Sequence, residues 1–181
     1  MQRKPVKAPA FAALATIATI AAIAIAPAPV EAAGTVTASA VNPTDTVWVD
    51  AKVSAVWQVT SAVKFVDRYT GTRMRLGTCH KGAECIVIRE KWNMDGNVAG
   101  MTYLNGTPTT KIHLNARNRG WMSWGQRYNT VIHELGHARG ILTHDRRCNS
   151  VMYESTNCNR GSGRVAPRTF TAAEKSILRQ R

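Results

Sequence analysis

The chain has 181 residues, 44% hydrophobic and 19% charged, with 24 Lys and Arg against 11 Asp and Glu for a formal net charge of +13. That length suits one compact domain around one core, and no internal repeat is visible. The basic residues are scattered, without the dense tract that nucleic-acid-binding tails carry, so no nucleic acid is expected as a partner.

Arg3, Lys4 and Lys7 make a positive n-region, residues 10–26 are an apolar run rich in Ala and Ile, and Pro27, Pro29 and small residues follow. This is the pattern of a secretory signal peptide, with cleavage expected after Ala32, or else after Ala28 or Ala33. The run is short for a spanning helix and is broken by proline, so stable membrane insertion is not expected after cleavage. Residues 1–32 are therefore read as a signal peptide and 33–181 as a single secreted, extracellular domain. Losing Arg3, Lys4, Lys7 and Glu31 takes the charge from +13 to +11. Such a charge favours an anionic partner, such as a bacterial wall polymer, a membrane surface or an acidic protein. A merely solvated cationic surface is the plainer reading.

Residues 36–41 alternate β-branched and small side chains, as a first strand would. From 47 to 66 no Gly or Pro interrupts, and Val53, Val56, Val59, Val63 and Val66 recur at three- and four-residue spacing, which predicts a long helix. Val53, Ala55, Trp57 and Val59 also alternate as a strand would, and length decides for helix. Tyr69-Thr70-Gly71 reads as a turn. Short strands are expected at 73–76, 85–90, 101–104 and 111–116, with Ile112 and Leu114 alternating against Lys111, His113 and Asn115. A helix follows over about 126–139, stopped at Gly140 because glycine takes the left-handed conformation without penalty. A final helix begins at Thr171, where Thr171-Ala172-Ala173-Glu174 matches a capping box. This order of elements predicts a mixed α+β domain with a twisted sheet, and a cleft between the sheet and the irregular C-terminal segment.

Four cysteines, all within 33–181, fit an oxidising compartment. Of three pairings, the local ones are preferred, Cys79 with Cys85 and Cys148 with Cys158, because each closes a short polar loop. Zinc binding by these thiols lacks a CxxC spacing.

The chemistry is concentrated in His133-Glu134-Leu135-Gly136-His137. Positions four apart lie on one face of a helix, so His133 and His137 can grip one metal ion, with Glu134 placed to take a proton from a water on that metal. Gly140, His144 and Ser150-Val151-Met152-Tyr153 follow. Over about 133–153 the chain resembles the metzincin zinc metallopeptidases, whose pattern is HExxHxxGxxH or HExxHxxGxxD followed by a methionine turn. Small secreted bacterial members, of the matrixin-like and snapalysin-like kinds, are nearest in size. The resemblance implies a zincin-like α+β fold and a Zn2+ ion held by His133, His137 and a third ligand. It further implies Glu134 as general base, Met152 as a packed floor and a polypeptide substrate bound along the 111–116 strand. A monomer is expected.

The spacing departs from the pattern in one place. Strict register puts Thr143 at the third ligand, and a hydroxyl is a poor one; His144 comes one residue late and Asp145 two. His144 is preferred, because imidazole binds zinc well and one extra residue is easily absorbed in an irregular turn. Asp145 is the runner-up, with an outer-sphere role toward an imidazole as its other use. A gluzincin-type site would instead need Glu154 or Glu174. The alternative function is a catalytically weak or inactive zincin-like domain that binds a peptide or a polyanionic surface. His80 and His113 are read as surface or strand residues, and Asn93-Met94-Asp95-Gly96-Asn97 as a plain turn rather than a calcium loop. Trp121 and Trp124 could touch substrate or simply pack.

Overall fold

The computed structural model describes residues 46–154 and 168–181. The expected strand at 36–41 and the cysteine at 158 lie outside them. In chain order the elements are β1 (Thr46–Lys52), a 3-10 turn (Ala55–Trp57), α1 (Val59–Asp67), β2 (Arg73–Leu76), β3 (Cys85–Lys91), β4 (Gly100–Tyr103) and β5 (Thr109–Asn115). A second 3-10 turn (Asn118–Gly120), α2 (Trp124–Ala138) and α3 (Ala172–Arg179) complete them. The five strands form one mixed sheet in the order β2-β1-β3-β5-β4. Every neighbouring pair is parallel except β4, which runs antiparallel to β5 at the edge. With three helices beside it, this is the expected α+β class.

The long helix expected over 47–66 is a strand, a 3-10 turn and a shorter helix. Val47 and Val49 are fully buried on one face of β1 while Trp48 and Asp50 point the other way, the two-residue period of a pleated strand. β1 lies between β2 and β3, so both of its edges gain ladder hydrogen bonds that a helix could not offer the sheet. The break comes at Gln58, whose φ of 56° puts a non-glycine residue in the left-handed region. Beyond it α1 buries Val59, Ala62, Val63 and Val66 along one stripe. Trp57, fully buried in the turn between them, donates from its indole N–H to Glu90 on β3 at 2.6 Å.

Val47, Val49, Met74, Ile86, Ile88, Ile112 and Leu114 form the core face of the sheet and meet Ile132 and Leu135 of α2, together with Phe170 and Leu178. Fully burying each such side chain stabilises the fold by about 1.5–3 kcal/mol. Phe65 and Tyr69 pack their rings against Phe170, which brings α1 toward the C-terminal segment. The Cys79–Cys85 disulfide is formed as expected. Among the described residues no helix is long and apolar enough to cross a membrane.

Candidate metal centre

α2 begins at Ser123, whose hydroxyl accepts the Gln126 N–H while the Gln126 side chain accepts the Ser123 N–H. Such a box stabilises a helix start by about 1 kcal/mol. One face of the helix buries Val131, Ile132 and Leu135, leaving His133 and His137 on the opposite side with Glu134 turned toward β4. At Gly140 φ reaches 97° and the chain reverses, with the Ile141 N–H returning to the Gly136 carbonyl. The reversal also delivers the Ile141 carbonyl to His137 and carries the chain on to His144.

The ring nitrogens of His133, His137 and His144 lie within 4.8 Å of one another, close enough to bind a metal ion. His133 Nδ1 sits 2.9 Å from the Val151 carbonyl and His137 Nδ1 2.6 Å from that of Ile141. A carbonyl only accepts, so in both rings Nδ1 carries the proton. Burial pushes the His133 pKa down to about 4 and lowers that of His137 as well, so both rings are neutral at pH 7 and their Nε2 atoms hold bare lone pairs. Those lone pairs nevertheless face each other at 3.1 Å, and His137 Nε2 is 3.2 Å from His144 Nε2. Two acceptors at that distance repel unless a cation lies between them. Nitrogens about 2.05 Å from a tetrahedral ion stand about 3.3 Å apart, so these two spacings fit such an ion.

Asp145 does not join the cluster: its carboxylate accepts from the Arg147 backbone and guanidinium, which hold its pKa down to about 2. Glu174 is also committed elsewhere, accepting the Ser150 hydroxyl at 2.7 Å and the Thr171 N–H of the expected α3 capping box at 2.6 Å. The described residues thus bring neither runner-up acid to the three imidazoles. Glu154 lines the cleft wall.

Glu134 is 5% exposed, and its Oε2 accepts the Thr102 hydroxyl at 2.7 Å. Burial pushes its pKa up to about 7 against the downward pull of that hydroxyl. Gly100, two residues earlier on β4, leaves room for it; a Cβ there would stand 2.8 Å from Glu134 Cγ. Thr102 and Gly100 meet Glu134 only through the tertiary fold, across more than thirty residues, so no local sequence signal marks them.

Met152 is fully buried beneath α2, and a Cβ on Gly136 would come within 2.6 Å of its sulfur. The glycine inside the His-Glu-Leu-Gly-His stretch therefore admits the thioether. The methionine segment is tied from below: Ser150 Oγ accepts the Met152 N–H at 2.9 Å and donates to Glu174. Val151, between them, supplies the carbonyl that orients His133.

The three histidines and Glu134 line a cleft of about 650 Å³ whose far wall is β4 and the residues around it. Strand 111–116 was the expected rim; residues 111–115 lie instead within β5, covered by β3 on one side and β4 on the other, so the rim is β4. Trp121 borders the cleft, whereas Trp124 stacks on Tyr128 with ring centroids 5.1 Å apart. Tyr153 lines the cleft with the Arg168 guanidinium over its ring. His80 packs edge-on against Trp48, and His113 lies beside Tyr103, both away from the metal cluster. Asp95 closes its own turn by accepting the Asn97 N–H. Comparison with protein-family models finds no match, and comparison with curated proteins finds none of significance.

Proposed function

We propose that this chain is an exported zinc-dependent endopeptidase of the metzincin kind. The carrying observation is the convergence of three imidazole nitrogens, two of them locked as neutral donors, beside a buried carboxylate in an open cleft. Imidazole-only sites suit several transition metals, and zinc is the choice that pairs three histidines with a general base for hydrolysis. Zinc held by His133, His137 and His144 would supply Lewis acidity, polarising a scissile carbonyl and lowering the pKa of a water.

The rest is done by the chain. Glu134 accepts a proton from the attacking water and returns it to the leaving amine, with Thr102 fixing the carboxylate through Oε2. The carbonyls of Val151 and Ile141 keep both helix imidazoles in the tautomer that presents Nε2. β4 has one ladder partner, β5, among the described residues, so its other edge can take an extended peptide by strand addition. The leader pattern at 1–32 and the Cys79–Cys85 disulfide support an extracellular setting.

The test is metal content together with hydrolysis of casein or a quenched peptide library, with and without chelator. Glu134→Gln is expected to keep one metal per chain and lose at least about 100-fold in rate. A Gln variant that retains most activity would refute the base assignment. Tight metal binding with no hydrolysis of any substrate would favour a zincin-like binding domain.

A further inference from the structure

Six of the basic residues that look scattered along the sequence gather on one face of the sheet. On the sheet face opposite the core, the pleat presents Lys52 from β1, Arg73 and Arg75 from β2, Arg89 and Lys91 from β3, and Lys111 from β5. All but Arg89 are exposed. The strand residues of this face carry one carboxylate, Asp50, which Arg89 neutralises at 3.0 Å. Among the described residues five cations without an ion-pair partner remain, on a surface that does not include the metal cleft.

We infer that this face binds a linear phosphodiester polymer of the polyol-phosphate type. Charge complementarity carries the assignment, and spacing refines it. Residues i and i+2 on a strand stand about 6.7 Å apart, with neighbouring strands about 4.8 Å away. The Arg73–Arg75 pair therefore stands at roughly the separation of successive phosphates along an extended chain. Guanidinium forks suit phosphate oxygens in particular.

Other anionic partners fit less well. Single-stranded nucleic acid needs free aromatic platforms for its bases. Trp48 is covered by Gly77 and His80, while the Tyr103 ring is engaged with His113 at 4.8 Å. A protein partner would look for a desolvated apolar centre, and here Val87, at the middle of the face, is flanked in register by the charged Asp50 and Lys111. This inference stands apart from the peptidase reading, since none of its residues touches the three histidines or Glu134.

The experiment measures binding of the mature chain to immobilised poly(glycerol phosphate), with single-stranded DNA, polyglutamate and anionic phosphatidylglycerol vesicles as parallel arms. Polymer contact by four of these cations predicts an affinity loss of ~50-fold between about 50 and 200 mM salt. The triple variant Arg73→Gln, Arg75→Gln, Lys111→Gln is expected to bind at least ~10-fold more weakly. Lys64→Gln, Arg117→Gln, Arg179→Gln, with the same net charge, is expected to change affinity by less than ~2-fold. Equal weakening in both triple variants would mean diffuse attraction and overturn the assignment. So would absence of binding at low salt, or tighter binding in any of the other three arms. Circular dichroism of both variants confirms that the fold is kept.

Discussion

Replacing Ser150 by alanine tests how the metal site is held from below. The hydroxyl makes two buried contacts, donating to Glu174 at 2.7 Å and accepting the Met152 N–H at 2.9 Å, and Ser150 itself is fully buried. Alanine removes the oxygen that both contacts share, leaving the Glu174 carboxylate and the Met152 N–H without it. A hydrogen bond to a charged group is worth about 1.5–3 kcal/mol, and an orphaned buried donor costs about 1–3 kcal/mol. Allowing for overlap and relaxation, the loss should be about 3 kcal/mol, or roughly 10 °C in Tm for a domain of this size. The measurement is thermal unfolding by circular dichroism in chelator, then again with saturating zinc. Since Val151 lies between Ser150 and Met152 and orients His133, zinc affinity should fall together with Tm. A shift under about 2 °C with unchanged zinc affinity would mean that the Glu174–Ser150–Met152 chain does not support the site.

His144→Ala should weaken zinc binding by more than about 100-fold, beyond the cost of losing an outer-sphere partner, whereas Asp145→Ala should cost less than about 10-fold. Competition with a chromophoric chelator reads both, and the reverse ranking would reinstate Asp145. Saturating zinc at about 1,000 times its Kd should raise the stability of the wild-type chain by about 4 kcal/mol in urea unfolding. A smaller gain at that ratio means the unfolded chain also binds the ion. In the metal-free protein two groups pull stability in opposite directions with pH. His133 titrates near 4 folded and 6.5 unfolded, so the unfolded chain binds more protons between those values and stability rises with pH. Glu134, raised from 4.5 to about 7, binds more protons folded, and its contribution falls over that interval. Glu134→Gln removes the second slope, so between pH 4.5 and 6.5 the variant should gain about 2 kcal/mol relative to wild type in chelator. Parallel curves for the two proteins would show that Glu134 does not titrate as its burial implies.

Much of the site could be read from the chain because its spacing is local. His133, Glu134 and His137 depend on one helical turn, and Gly140 marks its end through a backbone requirement that glycine alone meets cheaply. His144 stood one residue off the spacing of the metzincin pattern that the stretch resembles, yet the irregular turn after Gly140 absorbs the extra residue and brings Nε2 within 3.2 Å of His137. The region 47–66 was misread because valines there satisfy both the helical and the strand period, and the break falls at Gln58, a residue type that announces no turn. The cleft rim was misplaced for a different reason. Chain order does not reveal that β4, short and earlier in sequence, lies outside β5 in the sheet. Thr102 and the Ser150–Glu174 tie depend on partners 32 and 24 residues away, and side-chain hydrogen bonds at such separation leave no periodic trace.

The three imidazoles differ in how firmly they are anchored. Those of His133 and His137 stand on a capped helix with their far nitrogens fastened to carbonyls, while His144 is exposed on the segment beyond the reversal. Loading is thus expected to proceed in sequence, a rapid two-point capture on the anchored pair followed by slower engagement of the exposed third ring. Stopped-flow traces with zinc should show two phases, and stiffening the 141–149 segment should quicken only the second.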